Sequence, residues 1–279
     1  MRQLVLPIAA CTLAALMFAQ PTRVAAQDAA AKEYRVLQDR PDRLLVELPN
    51  RMIVIAQELK TAPVVSAQVW VKTGSIYEQE HVGAGLSHYL EHLLSGGTTT
   101  NRMEIESSTT LGQIGAQTNA ATSLDTVRYY INTTASHTGT AVDLLSDWMR
   151  NSVIKQSEFD RERDVIFREF EMGRGEPDRI FWKLTQQARY IAHPARHPTI
   201  GYIDQFSVIT RDQIHDFYRR MYVPNNMVFV VVGDIDKQKV VDQIASLWND
   251  AEVGELPSLS FPVEPEIEEP RELSGTASI

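Results

Sequence analysis

Two imidazoles and a carboxylate stand within five residues of one another in His88-Tyr89-Leu90-Glu91-His92. On a helix, side chains four residues apart share a face, so His88 and His92 can grip one ion between them. Glu91 follows His88 by three residues and reaches the same side. A metal with three protein ligands and an open position lowers the pKa of bound water to ~7, and a neighbouring carboxylate can then take its proton. That is hydrolytic machinery, but it needs a third ligand. Glu162 and Glu169 lie seven residues apart, so on a helix both project to nearly one face. One could bind metal while the other supports a ligand; the alternative is a solvated acidic face. His193 and His197 repeat the four-residue spacing, yet Pro194 and Pro198 follow them directly, so this pair reads as a loop near the centre rather than a second metal site.

These side chains need elements to hold them. Leu86, Leu90, Leu93 and Leu94 give residues 86–94 the apolar stripe of a helix, bracketed by Gly83, Gly85, Gly96 and Gly97. Residues 158–172 read as the helix carrying the two glutamates, and 141–149, 211–220 and 237–248 as further helices, with Thr210 and Gln213 forming a capping box. Residues 44–48 and 52–56 flank Pro49, Asn50 and Arg51 as a hairpin; 64–71 and 127–131 are strands. The apolar run 227–232, ended by Gly233 and Asp234, is a buried central strand. The alternation over residues 34–251 predicts one α/β or α+β domain. After Glu252, four prolines alternate with glutamates, so 252–279 reads as a linker or disordered tail.

A chain of 279 residues, 43% of them hydrophobic, can bury a sizeable core. Its formal charge of −9, without a run of Lys or Arg, excludes a nucleic-acid binder. Arg2, an apolar run from Leu4 to Phe18 and small residues up to Ala26 read as a signal peptide over 1–26, too short and interrupted for a membrane span. Its removal takes Arg2 and Arg23 and moves the charge to −11. The mature protein is then expected to be exported, to the periplasm of a bacterium, with no transmembrane span. Cys11, the only cysteine, goes with the signal, which leaves nitrogen and oxygen as metal ligands. Ile8-Ala9-Ala10-Cys11 also matches a lipoprotein cleavage box, which would leave a lipid-anchored Cys11.

The inverted motif His88-x-x-Glu91-His92, with Glu169 separated from His92 by 76 residues and preceded by Glu162, resembles the pitrilysin, insulin-degrading enzyme and mitochondrial processing peptidase family. Further matches run through residues 40–250: Val69 to Ser75, Gly97-Thr98, Asn119 to Ser123, Tyr222-x-Pro224-x-Asn226-Met227 and Val231 to Asp234.

The resemblance implies an α+β fold, a mainly antiparallel sheet packed against helices, forming one half of a clamshell; residues 34–251 would be the zinc-binding N-terminal domain. It implies one zinc held by His88, His92 and Glu169, Glu91 as general base, and Glu162 supporting a ligand. Backbone groups at Asn119 and Ala120 would hold an extended peptide, so peptide or unfolded protein is the expected substrate. Three features depart from the family. Ala121 stands where an aromatic is usual, and Arg51 where glycine is common. The second half, which in relatives contributes substrate-contacting Arg and Tyr, is not in this sequence, so a fragment, a truncated product, or a half working with a separate partner is expected. A non-catalytic peptide-binding or scaffold subunit is the competing function; intact Glu91 and Glu169 favour a peptidase. A purely structural zinc fails on ligand count, since such sites are closed by four protein ligands.

Overall fold

The structure, a computed structural model, describes residues 34–276. The signal expected over 1–26, with Cys11, lies outside the described residues. Strands β1 (Arg35–Arg40), β2 (Arg43–Glu47), β3 (Ile53–Glu58) and β4 (Val64–Val71) come first. Helices α1 (Leu86–Leu94) and α2 (Glu104–Gln113) lead to the hairpin of β5 (Gln117–Thr122) and β6 (Val127–Thr134). Then follow α3 (Thr138–Asn151), α4 (Gln156–Gly173), α5 (Pro177–Arg189), α6 (Ile203–Phe206), α7 (Arg211–Met221), β7 (Met227–Gly233) and α8 (Lys237–Trp248).

The strands form one sheet in the order β1-β2-β3-β7-β4-β6-β5. Every pairing is antiparallel except β3 with β7, so the sheet is mainly antiparallel as expected. Alternate residues of the central strands are buried, among them Val65, Ala67, Val69 and Val71 of β4 and Met227, Phe229 and Val231 of β7. One face of the sheet is thus sealed. Helices α3 and α8 pack on it, with Trp148 and Trp248 fully buried and the Trp248 indole donating to Ser146 Oγ at 3.0 Å. The β2–β3 turn places Arg51 at φ 67, the left-handed conformation that explains why glycine suits this position. Thr210 and Gln213 form the expected capping box on α7.

The elements β1, α2, α5 and the four-residue α6 have no counterpart in the sequence reading. β1 has no buried residue, so it shows no alternation to detect. In α2 only Ser107 is buried, and Ile105 is exposed. In α5 only Gln186 is buried, while Phe181 and Trp182 face outward, so its apolar residues mark no core stripe. Residues 252–276 carry no helix or strand and run along the domain. Phe261 packs against Tyr77 and His193, Glu264 accepts backbone N–H bonds from Ile191, Ala192 and His193, and Gly275 lies against Ile180 and Leu184. No helix of the described residues is long and apolar enough to cross a membrane.

Candidate metal centre

Helix α1 presents its chemistry on one side because its other side is core: Leu86, Tyr89, Leu90, Leu93 and Leu94 are buried. Both ends of the helix are clamped. At its start the buried carboxyl of Glu78 accepts from Gly85 N at 3.0 Å and Ser87 N at 2.9 Å, satisfying two N–H groups at the helix N-terminus. Burial pushes the Glu78 pKa up to about 8, although these N–H donors pull it back down. Gly85 itself sits at φ +80, where an added Cβ would lie 2.3 Å from the Ile200 carbonyl oxygen. After the helix, buried Glu158 of α4 accepts from Thr98 N at 3.1 Å, and the Tyr89 hydroxyl donates to the Phe159 carbonyl. The helix bearing His88 is therefore locked to α4, which bears the two glutamates.

That locking brings His88, His92 and Glu169 together, with one ligand atom from each lying within 4.8 Å of the others. The Glu169 carboxylate straddles the two imidazoles: Oε2 is 3.5 Å from His88 Nε2 and Oε1 is 3.6 Å from His92 Nε2. These separations are long for hydrogen bonds. They fit donors sharing a tetrahedral ion, because two atoms each ~2.0–2.1 Å from a zinc lie ~3.4 Å apart. The rings meet edge-on, with centroids 4.8 Å apart. Glu162 stays outside the trio and accepts from His92 Nδ1 at 3.2 Å. Arg161 donates to the other oxygen of Glu162 at 3.0 Å and pairs with Glu104 of α2. Glu91 turns toward β5, where its Oε2 accepts from the Thr122 hydroxyl at 2.5 Å.

Comparison with known proteins identifies the family. The insulinase (peptidase family M16) domain matches residues 53–201, more than half of the chain, and the peptidase M16 inactive domain matches 209–275. This chain belongs to the M16 peptidase family. An "uncharacterized zinc protease" of Mycobacterium leprae is 33% identical over 194 residues, covering 70% of this chain and 43% of that protein. A probable mitochondrial-processing peptidase subunit beta of Arabidopsis thaliana is 28% identical, covering 75% and 39%. The crystal structure of a protease from Helicobacter pylori superposes with a TM-score of 0.71 at 28% identity, covering 81% of this chain and 54% of that one. The M16 chain described here thus spans less than half the length of these curated relatives.

The electrostatics of the M16 site follow from its burial. Desolvation, then the His92 and Arg179 charges, lower the His88 pKa to about 3. Burial would lower His92 as well, but the Glu162 hydrogen bond and the Glu169 and Glu91 charges outweigh it and raise the pKa. Burial raises Glu91 against the Thr122 hydrogen bond. For Glu162 burial is outweighed by the His92 and Arg161 hydrogen bonds, which lower it. A divalent ion in this cluster would override these directions, keeping both imidazoles neutral and the carboxylates charged.

Asn119 and Ala120 lie on β5, one of the two edge strands of the sheet, beside α1. The Ala120 N–H is held by the Asn119 side chain at 2.9 Å. His193 accepts from Ala195 N and His197 faces the Tyr202 hydroxyl, so neither joins a metal cluster among the described residues. Their loop does approach the centre: Pro198, Thr199 and Ile200 line the cavity that His88 and Glu169 open into. Sequence reasoning assigned no role to Thr122, Glu78 or Arg161. Thr122 lay within the quoted Asn119 to Ser123 segment, and a hydroxyl two residues from Ala120 on the same strand face was the available signal.

Proposed function

We propose that this chain is an exported zinc metalloendopeptidase that hydrolyses peptides and unfolded protein, with one zinc held by His88, His92 and Glu169. The observation that carries the proposal is the Glu169 carboxylate straddling the two imidazoles at 3.5 and 3.6 Å with Glu91 beside them. Zinc protease relatives support zinc as the metal. When bound, zinc would polarise the scissile carbonyl and acidify the attacking water.

The remaining steps belong to the chain's own side chains. Glu91, aimed by the Thr122 hydroxyl, takes the water's proton as the water attacks and returns it to the departing amine. No covalent bond to the protein is needed. Glu162 keeps the proton of His92 on Nδ1, which leaves the Nε2 lone pair for the metal. The β5 edge at Asn119 and Ala120 takes an extended peptide as an added strand, the incoming backbone replacing the Asn119 amide oxygen on the Ala120 N–H.

The length of the relatives supports a second half of the same family, on this chain or another, as partner. The signal-like sequence of residues 1–26 supports export to a bacterial periplasm, free or anchored through Cys11. Incubation of the zinc-loaded chain with an unstructured peptide pool, beside Glu91→Gln, tests the activity. Cutting by the parent and none by a variant that binds zinc equally is expected. Cutting by neither, with zinc on both, would favour a peptide-binding subunit that needs its partner half.

A further inference from the structure

Two cavities meet at Arg179. The smaller, about 370 Å³, is the one that His88, Glu169 and Thr122 line; the larger, about 680 Å³, lies beyond it against α5. Glu169, Arg179, Pro198 and Ile200 line both, so a peptide bound at the metal centre has a side-chain pocket directly next to it. One face of α5 forms one wall of the pocket, and Ser274, Gly275 and Thr276 of the tail line it too, with Gly275 against Ile180 and Leu184. Arg179 and Lys183, four residues apart, supply charge there, and Ile180 and Leu184 supply apolar surface.

The charges in the larger cavity are not balanced. Arg174, Arg179 and Lys183 line it against Glu169 and Asp204, with Asp178 at the smaller one, and Glu169 is committed to the metal in the proposed function. Arg174 pairs with Glu171 at 2.9 Å and Arg179 with Glu176 at 2.6 Å. Both are pairs of side chains at least half exposed, the kind that water and an incoming anion displace at little cost. Lys183 differs. Its ammonium lies over the Tyr202 ring, 5.2 Å from the centroid, and no carboxylate pairs with it among the described residues. Phe170, Ile180, Leu184 and Ile200 line the same cavity with apolar surface, beside which a charge-assisted contact to Lys183 is stronger than in open water.

We propose that this cavity is a specificity subsite that takes an acidic side chain of the substrate peptide, with Lys183 and Arg179 as the selecting cations. The apolar walls would hold the aliphatic part of a Glu side chain while its carboxylate reaches Lys183. This rests on the peptidase reading, and the test separates the two by measuring binding without turnover.

Fluorescein-labelled unstructured peptides, identical but for one Glu, Gln or Lys moved along the sequence, are titrated against the full zinc-loaded chain carrying Glu91→Gln, and anisotropy is read. At one position Glu is expected to bind roughly ten-fold more tightly than Gln, and Lys more weakly than both. The preference should shrink with added salt. Lys183→Glu should reverse the ranking of Glu and Lys. If that variant does not fold, Lys183→Gln carries the test, and loss of the Glu preference is expected. Peptides that bind equally whatever the residue, or a ranking unchanged in the Lys183 variants, would overturn the subsite and leave the peptidase reading standing. No binding by any peptide would overturn both.

Discussion

His92 is held from both sides: Glu162 Oε2 lies 3.2 Å from its Nδ1, and Glu169 Oε1 lies 3.6 Å from its Nε2. The two glutamates stand two turns apart on one helix, so α4 supplies both the carboxylate that faces Nδ1 and the one that, in the proposed site, would complete the ligand set. Glu162 in turn is fixed by Arg161, whose guanidinium spans to Glu104 of α2. The acidic pair on α4 is therefore part of a designed geometry rather than a solvated face.

Removing the orienting carboxylate should weaken the metal without abolishing the site. Glu162→Ala is expected to lower zinc affinity by roughly 10–100-fold, measured by competition with a chelating dye, while circular dichroism stays that of the parent. Unchanged affinity would show that Glu162 does not hold His92.

Glu78 should make stability depend on pH in a defined direction. In the unfolded chain its proton leaves near 4.5, whereas burial pushes the folded value up to about 8. The folded state therefore keeps a proton that the unfolded chain has released. This contribution is fully present below about 4.5 and is lost as pH rises through about 8. In urea melts of the metal-free chain, the parent should lose stability relative to Glu78→Gln across that window, by a few kcal/mol at most. Parallel pH profiles would show that the charge of Glu78 does not matter there.

The close approach at the start of α1 predicts a contrast between two glycines. Gly85→Ala places a Cβ 2.3 Å from the Ile200 carbonyl oxygen at φ +80, whereas at Gly96, φ +83, nothing lies within 4 Å. The first should cost more than about 3 kcal/mol and also weaken zinc binding, since the helix start must shift; the second should cost about 1–2 kcal/mol from backbone strain alone. Equal losses in thermal melts would contradict the packing at Ile200.

Much of this arrangement was legible in the sequence, and the reasons are local. His88, Glu91 and His92 are set by one helical period, and the leucines between them announce which side is core. The central strands announce themselves by alternation, as Val65, Ala67, Val69 and Val71 do. Glu169 was different: helical spacing made it a candidate alongside Glu162, and only the family pattern separated their roles. The structure separates them physically, since Glu169 sits between the Nε2 atoms and Glu162 faces Nδ1. What stayed hidden depends on contacts distant in sequence. Thr122 reaches Glu91 across 31 residues, and nothing near Glu78 in sequence reveals that it will be buried against a helix terminus. α5 was hidden because its aromatic residues point outward, the reverse of the pattern that marks a core helix.

The most direct test is zinc titration of the full chain beside His88→Ala, His92→Ala and Glu169→Ala, with X-ray absorption at the zinc edge on the loaded parent. One zinc per chain is expected in the parent, with nitrogen and oxygen ligands at ~2.0–2.1 Å, and each substitution should remove tight binding. A parent that takes up no stoichiometric zinc, or one whose zinc survives Glu169→Ala with the same ligand shell, would contradict a metal centre built from these three side chains.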